Sequence, residues 1–149
     1  TVRVGDMVWM AEDLRTTKYR NGEPIELVTG NNSYDVVSTP KYYFIYDDVA
    51  LNAELFGHLY TWYVVNDTRG LAPEGWHVPS HSEWNALQKH LGMSDAEISL
   101  VCDDNNSIGG KMKTTSSIYW MDPNSGATDE VGLSLYGGGF RSHTHGFKH

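Results

Sequence analysis

At 149 residues the chain is long enough to bury a real core as one domain, and its 40% hydrophobic and 12% aromatic content fits an ordinary globule. The formal charge of −8 is spread along the chain, which argues against nucleic acid and anionic membranes as partners. No apolar run is long enough to insert into a bilayer, and the single cysteine, Cys102, excludes an internal disulfide. Fifteen glycines, with many Asn, Ser and Thr, point to a loop-heavy fold rather than a bundle. No signal peptide is visible and the sequence begins at Thr1, as a processed or excised segment would.

Residues 2–10 read as a hairpin, with apolar residues alternating on either side of the turn pair Gly5-Asp6. Residues 14–19 continue as an extended strand, Asn21-Gly22-Glu23-Pro24 forms a turn, and Ile25, Leu27 and Val28 form a short strand before a polar loop over 29–39. Tyr42, Tyr43, Phe44, Ile45 and Tyr46 are a dense β-prone run, in which cross-strand core packing outweighs a sugar platform; Asp47-Asp48 closes it.

Residues 59–91 commit to structure most firmly. Leu59, Trp62, Tyr63 and Asn66 share one face of an aromatic helix, which the β-branched Val64 and Val65 weaken. Asn66-Asp67-Thr68-Arg69-Gly70 ends it, Ala72-Pro73-Glu74-Gly75 turns the chain, and residues 76–79 have the period-2 character of a short buried strand. A second helix then starts at Ser80, an N-cap with Glu83 at the spacing that satisfies both free backbone ends. Trp84, Leu87 and Leu91 form its apolar stripe, and Gly92 supplies the left-handed residue that ends it.

Ser94 and Glu97 repeat the cap signal and open a short helix toward Val101, where Ile98, Leu100, Val101 and Cys102 form a buried apolar run; residues 103–107 are a solvated loop. Gly109-Gly110-Lys111-Met112-Lys113 starts a short element. Residues 120–130 form a long loop dense in oxygen donors, and residues 133–136 are a strand running into Gly137-Gly138-Gly139-Phe140-Arg141.

Seven motifs in this order and spacing carry a resemblance: VWMAEDLR at 8–15, LYTWY at 59–63, GLAPEGWHVP at 70–79, EW at 83–84, GGKMK at 109–113, NSGAT at 124–128 and GGGFR at 137–141. Together they resemble the Fibrobacter succinogenes major paralogous domain, found in secreted and surface proteins, largely of Bacteroidetes and Fibrobacteres. The resemblance runs nearly the whole chain and so implies one domain over 1–149. It implies an α+β, C-type-lectin-like fold, with two helices packed on small twisted antiparallel sheets and irregular loops carrying the ligand face. That fold is shared with the formylglycine-generating sulfatase-modifying enzymes and the variable proteins of diversity-generating retroelements. Family members usually continue past the last motif with a Trp-rich segment and a terminal strand. The chain stops at His149, so the expectation is that the last strands are missing, truncated or supplied by another chain.

The leading functional reading is a non-enzymatic module for binding, adhesion or structure at a bacterial surface, secreted or lipid-anchored, taking a glycan or protein ligand and serving as one part of a larger surface assembly. Its candidate contacts are Arg141, His143, His145 and Phe147. An oxidase like the sulfatase-modifying branch needs two nearby cysteines, and Cys102 alone cannot make the pair. His77, His81, Glu83 and Asp67 could form a hydrolytic group, but a buried strand His77 and a capping Glu83 account for them more simply. Asp122, Asn124, Asp129 and Glu130 are hard oxygen donors in one loop, the kind a structural calcium ion uses, without the spacing of a helix–loop–helix calcium site. His143, His145 and His149 could hold zinc or nickel but lack a fourth ligand. No cofactor beyond calcium is expected.

Overall fold

The computed structural model describes residues 1–30, 39, 41–100, 108–142 and 146–148. Its strands and helices are, in chain order, β1 (Val2–Val4), β2 (Met7–Trp9), β3 (Glu26–Leu27), β4 (Tyr42–Phe44), a 3-10 turn (Tyr46–Asp48), α1 (Ala50–Phe56), β5 (Leu59–Tyr60), α2 (Trp62–Val65), α3 (His81–His90), α4 (Asp95–Ser99), α5 (Ile108–Met112), β6 (Phe140–Ser142) and β7 (Gly146–Lys148). The class is α+β, with short helices and small sheets. The elements fall into two compact units: Thr1–Glu12 with Pro79–Gly137, and Asp13–Val78 with Gly138–His149.

In the first unit β1 and β2 form the hairpin that the alternation predicts, with Val2 opposite Trp9 and Val4 opposite Met7. Gly5 turns it at φ 60°, and a Cβ there would come within 3.1 Å of the His90 ring. Val4 and Trp9 face inward and join Leu87, Leu91, Ile108 and Leu133 in one core. Helix α3 starts as its sequence requires: Ser80 Oγ accepts from the Glu83 amide, and Glu83 Oε2 accepts from the Ser80 amide at 2.7 Å. It ends on Gly92, at φ 111°, whose amide donates to Lys89 while the Met93 amide reaches back to Gln88, the two bonds of a Schellman close. The same reciprocal cap, Ser94 with Glu97, starts α4.

Two motifs of the first unit turn out to be halves of one contact. The carbonyl of Gly110 in α5 accepts from the amides of Thr128 and Asp129, at 2.8 and 3.3 Å, and the carbonyl of Lys111 accepts from Val131. A Cβ on Gly110 would sit 1.9 Å from the Gly126 oxygen, so only glycine lets the loop lie this close. Residues 133–136 are not a strand: Leu133 enters the core and Leu135 makes a single bridge to Lys113. The expected apolar run after α4 is corrected at Leu100, which is 59% exposed, while Val101 and Cys102 lie outside the described residues.

In the second unit β4 is central, parallel to β3 and antiparallel to β5, so this sheet is mixed rather than wholly antiparallel. Tyr43, Phe44 and Tyr46 of the aromatic run are buried, which supports its reading as core. Tyr19, Ile25, Tyr43, Val64 and Leu71 form the main cluster. The aromatic helix expected from Leu59 needs correction. Leu59 and Tyr60 pair with Phe44 and Tyr43 as β5, and only Trp62–Val65 are helical. Strand pairing and the bonds of the Tyr60 hydroxyl to the carbonyls of Leu14 and Thr16 outweigh helix propensity there. Trp62 points outward at 68% exposure, and Val64 carries the burial instead.

Residues 76–79 are not a buried strand either, since His77 and Val78 are exposed. What fixes this region is Arg20, whose guanidinium donates to the carbonyls of Ala72 and Trp76 and closes the 72–76 turn from a distant part of the chain. Residues 14–19 make no strand, only a bridge between Lys18 and Pro24.

Candidate functional site

Of the four predicted ligand contacts, two are described, and the structure brings them together. Arg141 in β6 and Phe147 in β7 are opposite one another in the hairpin. The Arg141 guanidinium lies over the Phe44 and Phe147 rings, 4.6 and 4.7 Å from their centroids, and donates to the Gly30 carbonyl. Phe147 meets Tyr46 edge-on at 5.4 Å. The hairpin approaches Tyr46 so closely that a Cβ on Gly139, at φ 63°, would be 2.6 Å from both the Tyr46 ring and the Lys148 oxygen. This is one cation shared by two rings, so Arg141 anchors the hairpin to β4. His143, His145 and His149 lie outside the described residues. Phe140, which the sequence reading passed over, is the outward side chain of the same hairpin; strand alternation against an inward Arg141 is the signal that places it there.

The oxygen-rich loop is closed by its own side chains. Asn124 Nδ2 donates to the carbonyls of Thr114 and Ser116, at 3.0 and 3.3 Å. Asp129 accepts from the Ser134 amide at 2.8 Å and from its hydroxyl. Glu130 faces Lys111 Nζ at 3.8 Å, and Asp122 is exposed. Among the described residues no three His, Cys, Asp or Glu side chains converge as a metal site, so Asp122, Asp129 and Glu130 are not brought together.

Of the groups considered for hydrolysis, His77 and His81 are exposed, and the two carboxylates are held in the scaffold. Glu83 is engaged in the α3 cap. Asp67, only 4% exposed at its side chain, accepts from Lys41 Nζ at 2.7 Å and from Arg69 through both Nε and Nη2 at 2.8 Å. Arg69 also bonds Glu23 and stacks 3.7 Å over the Tyr19 ring. The hydrogen bonds from Arg69, then Lys41, hold the Asp67 carboxyl far below the usual carboxylate range. A carboxylate so placed is a fixed anion that ties residues 19–23, 41 and 67–69 together, and a poor proton carrier.

Another feature lies at the loop over 114–124. Trp120 Nε1 donates to the Leu135 carbonyl at 3.0 Å, Lys113 Nζ lies 4.7 Å from the Trp120 ring, and Tyr119 stacks on Tyr136 at 4.5 Å. On either side of this pinned pair, Ile118 and Met121 are each 84% exposed. A loop ordered by two aromatic anchors thus offers two apolar side chains to solvent.

Among the described residues no helix is long and apolar enough to cross a membrane. A family model, that of the Fibrobacter succinogenes major domain, matches residues 2–149. No curated protein and no solved structure matches the chain.

Proposed function

The chain belongs to the Fibrobacter succinogenes major domain family, and from that premise we propose that it is a non-enzymatic binding or structural module of the bacterial exterior, secreted or held at the cell surface. The observation that carries the reading is the loop over 114–124, which exposes Ile118 and Met121 while its aromatics stay pinned. Contact surfaces take much of their energy from a few preorganised apolar or aromatic side chains, because their ordering cost is met before binding. Trp62 and Phe140 supply similar exposed rings on the second unit. The scaffold we propose is C-type-lectin-like, and the α+β class with small sheets and long loops supports it. The ligand is a glycan or a protein at a surface, met as part of a larger assembly.

The test is binding of the intact protein to a glycan array and to whole bacterial cells, with Ile118→Ser/Met121→Ser beside the wild type. Both side chains are already in water, so the double variant should melt as the wild type does. Loss of two contacts of hot-spot strength should weaken binding by at least about tenfold. A double variant that binds as tightly as the wild type would remove the loop from the reading, and a wild type that bound neither array nor cells would remove the reading itself.

A further inference from the structure

His58 lies in the second unit beside two tyrosines, 4.6 Å from the Tyr43 ring and 6.1 Å from the Tyr60 ring. Its amide donates to the Leu14 carbonyl at 2.9 Å. The Tyr60 hydroxyl reaches the same carbonyl at 3.3 Å and that of Thr16 at 2.7 Å. Gly57, at φ 66°, leaves no room beside it: a Cβ would be 2.7 Å from both the Asp13 Cβ and the Leu14 oxygen. Residues 13–16 are therefore clamped along β5 and the two residues before it.

The Thr16 main chain lies against the His58 ring and favours its charged form. Its Nδ1 is shielded from solvent and meets no hydrogen-bonding partner among the described residues. In the neutral ring with its proton on Nε2, that atom is a bare lone pair beside the Tyr43 ring. Protonation turns it into an N–H that shares the ring's charge and has no acceptor, and a shielded donor left without an acceptor costs more than an unused lone pair.

We propose that His58 is an acid-sensitive latch: neutral, it holds residues 13–16 against the β4–β5 pair, and protonated, it releases them. Arg15, on the clamped segment, is a cation that opposes the imidazolium. Tyr43 from β4 and Tyr60 from β5 supply aromatic faces and no charge. Asp13, beside Gly57, has a carboxyl raised by burial against the pull of Arg15, so it favours the folded state in acid and works against the latch.

Burial, more than Arg15, pushes the His58 pKa below its ordinary 6.5, with the Thr16 main chain opposing. The unfolded or opened chain therefore takes the proton first. The segment is held fully above pH 6.5, loses stability as the pH falls from there to the folded value, and loses no more below it.

Hydrogen exchange of the intact protein between pH 7 and pH 5, corrected for intrinsic rates, reads this out at the His58 amide. Its protection should fall about tenfold for each unit by which the folded pKa is depressed, while the Leu91 amide that closes α3 keeps its protection. His58→Gln keeps a neutral hydrogen-bonding side chain and leaves Asp13 in place, so its protection should not fall in acid. Should that variant fail to fold, the ring titration of His58 by NMR in the wild type decides. A ring that titrates at or above 6.5, protection at His58 that ignores pH, or the same acid loss in His58→Gln would each overturn the proposal.

Discussion

Gly109 and Gly110 stand side by side in α5 and carry opposite burdens. Among the described residues a Cβ on Gly109 meets nothing within 4 Å, whereas one on Gly110 would be 1.9 Å from the Gly126 oxygen. Helix propensity favours alanine over glycine by about 1 kcal/mol at either position. At Gly109 nothing opposes that gain, so Gly109→Ala should leave stability unchanged or raise it by up to about 1 kcal/mol. At Gly110 the backbone of the 124–128 loop would have to retreat, and overpacking of that kind costs about 1–3 kcal/mol or more, which reverses the sign. Urea denaturation of the two variants separates them. Equal shifts would mean that α5 and the loop do not touch as described. The residue scale also adds a structural role to Arg141 that an arginine after three glycines does not announce: its guanidinium lies over the Phe44 and Phe147 rings.

Among the elements, α3 was legible to the residue because its signals are local. Ser80, Glu83, the apolar stripe and Gly92 all act within one or two turns. Ser80→Ala removes the side-chain acceptor for the Glu83 amide and should cost about 1 kcal/mol, as exposed N-caps generally do. The measurement is the urea midpoint at unchanged slope, and an unmoved midpoint would show that the cap is idle. Elements settled by distant partners were not legible in this way. Residues 59–60 became a strand because Tyr43 and Phe44 pair with them, and residues 76–79 stayed irregular because Arg20, more than fifty positions earlier, holds the Trp76 carbonyl. Period-2 character cannot foresee an arginine that arrives from elsewhere. The exposed pair Ile118 and Met121 escaped notice for the same reason: the bonds that pin Tyr119 and Trp120 come from Lys113, Leu135 and Tyr136.

At the scale of the molecule, the first unit joins the amino-terminal hairpin to residues 79–137, so its core closes only when strands and helices far apart in sequence meet. Trp9 is where they meet: it is buried with Leu87 and Leu91, and its ring lies 5.0 Å from Trp84 on α3. Trp9→Ala should cost about 3–5 kcal/mol, the range for deleting a large core aromatic. Because ten or so kilocalories is all that a small domain has to lose, that change should speed amide exchange throughout α3. Trp9→Phe is a finer probe. The Trp9 Nε1 proton is buried and finds no partner among the described residues, and an unmet donor costs about 1–3 kcal/mol. Phenylalanine gives up some buried area but also removes that donor, so the two effects oppose and the net loss should be well under half that of Trp9→Ala. If the two substitutions cost the same, the indole N–H has a partner and the core is held by more than the packing of hairpin against helix.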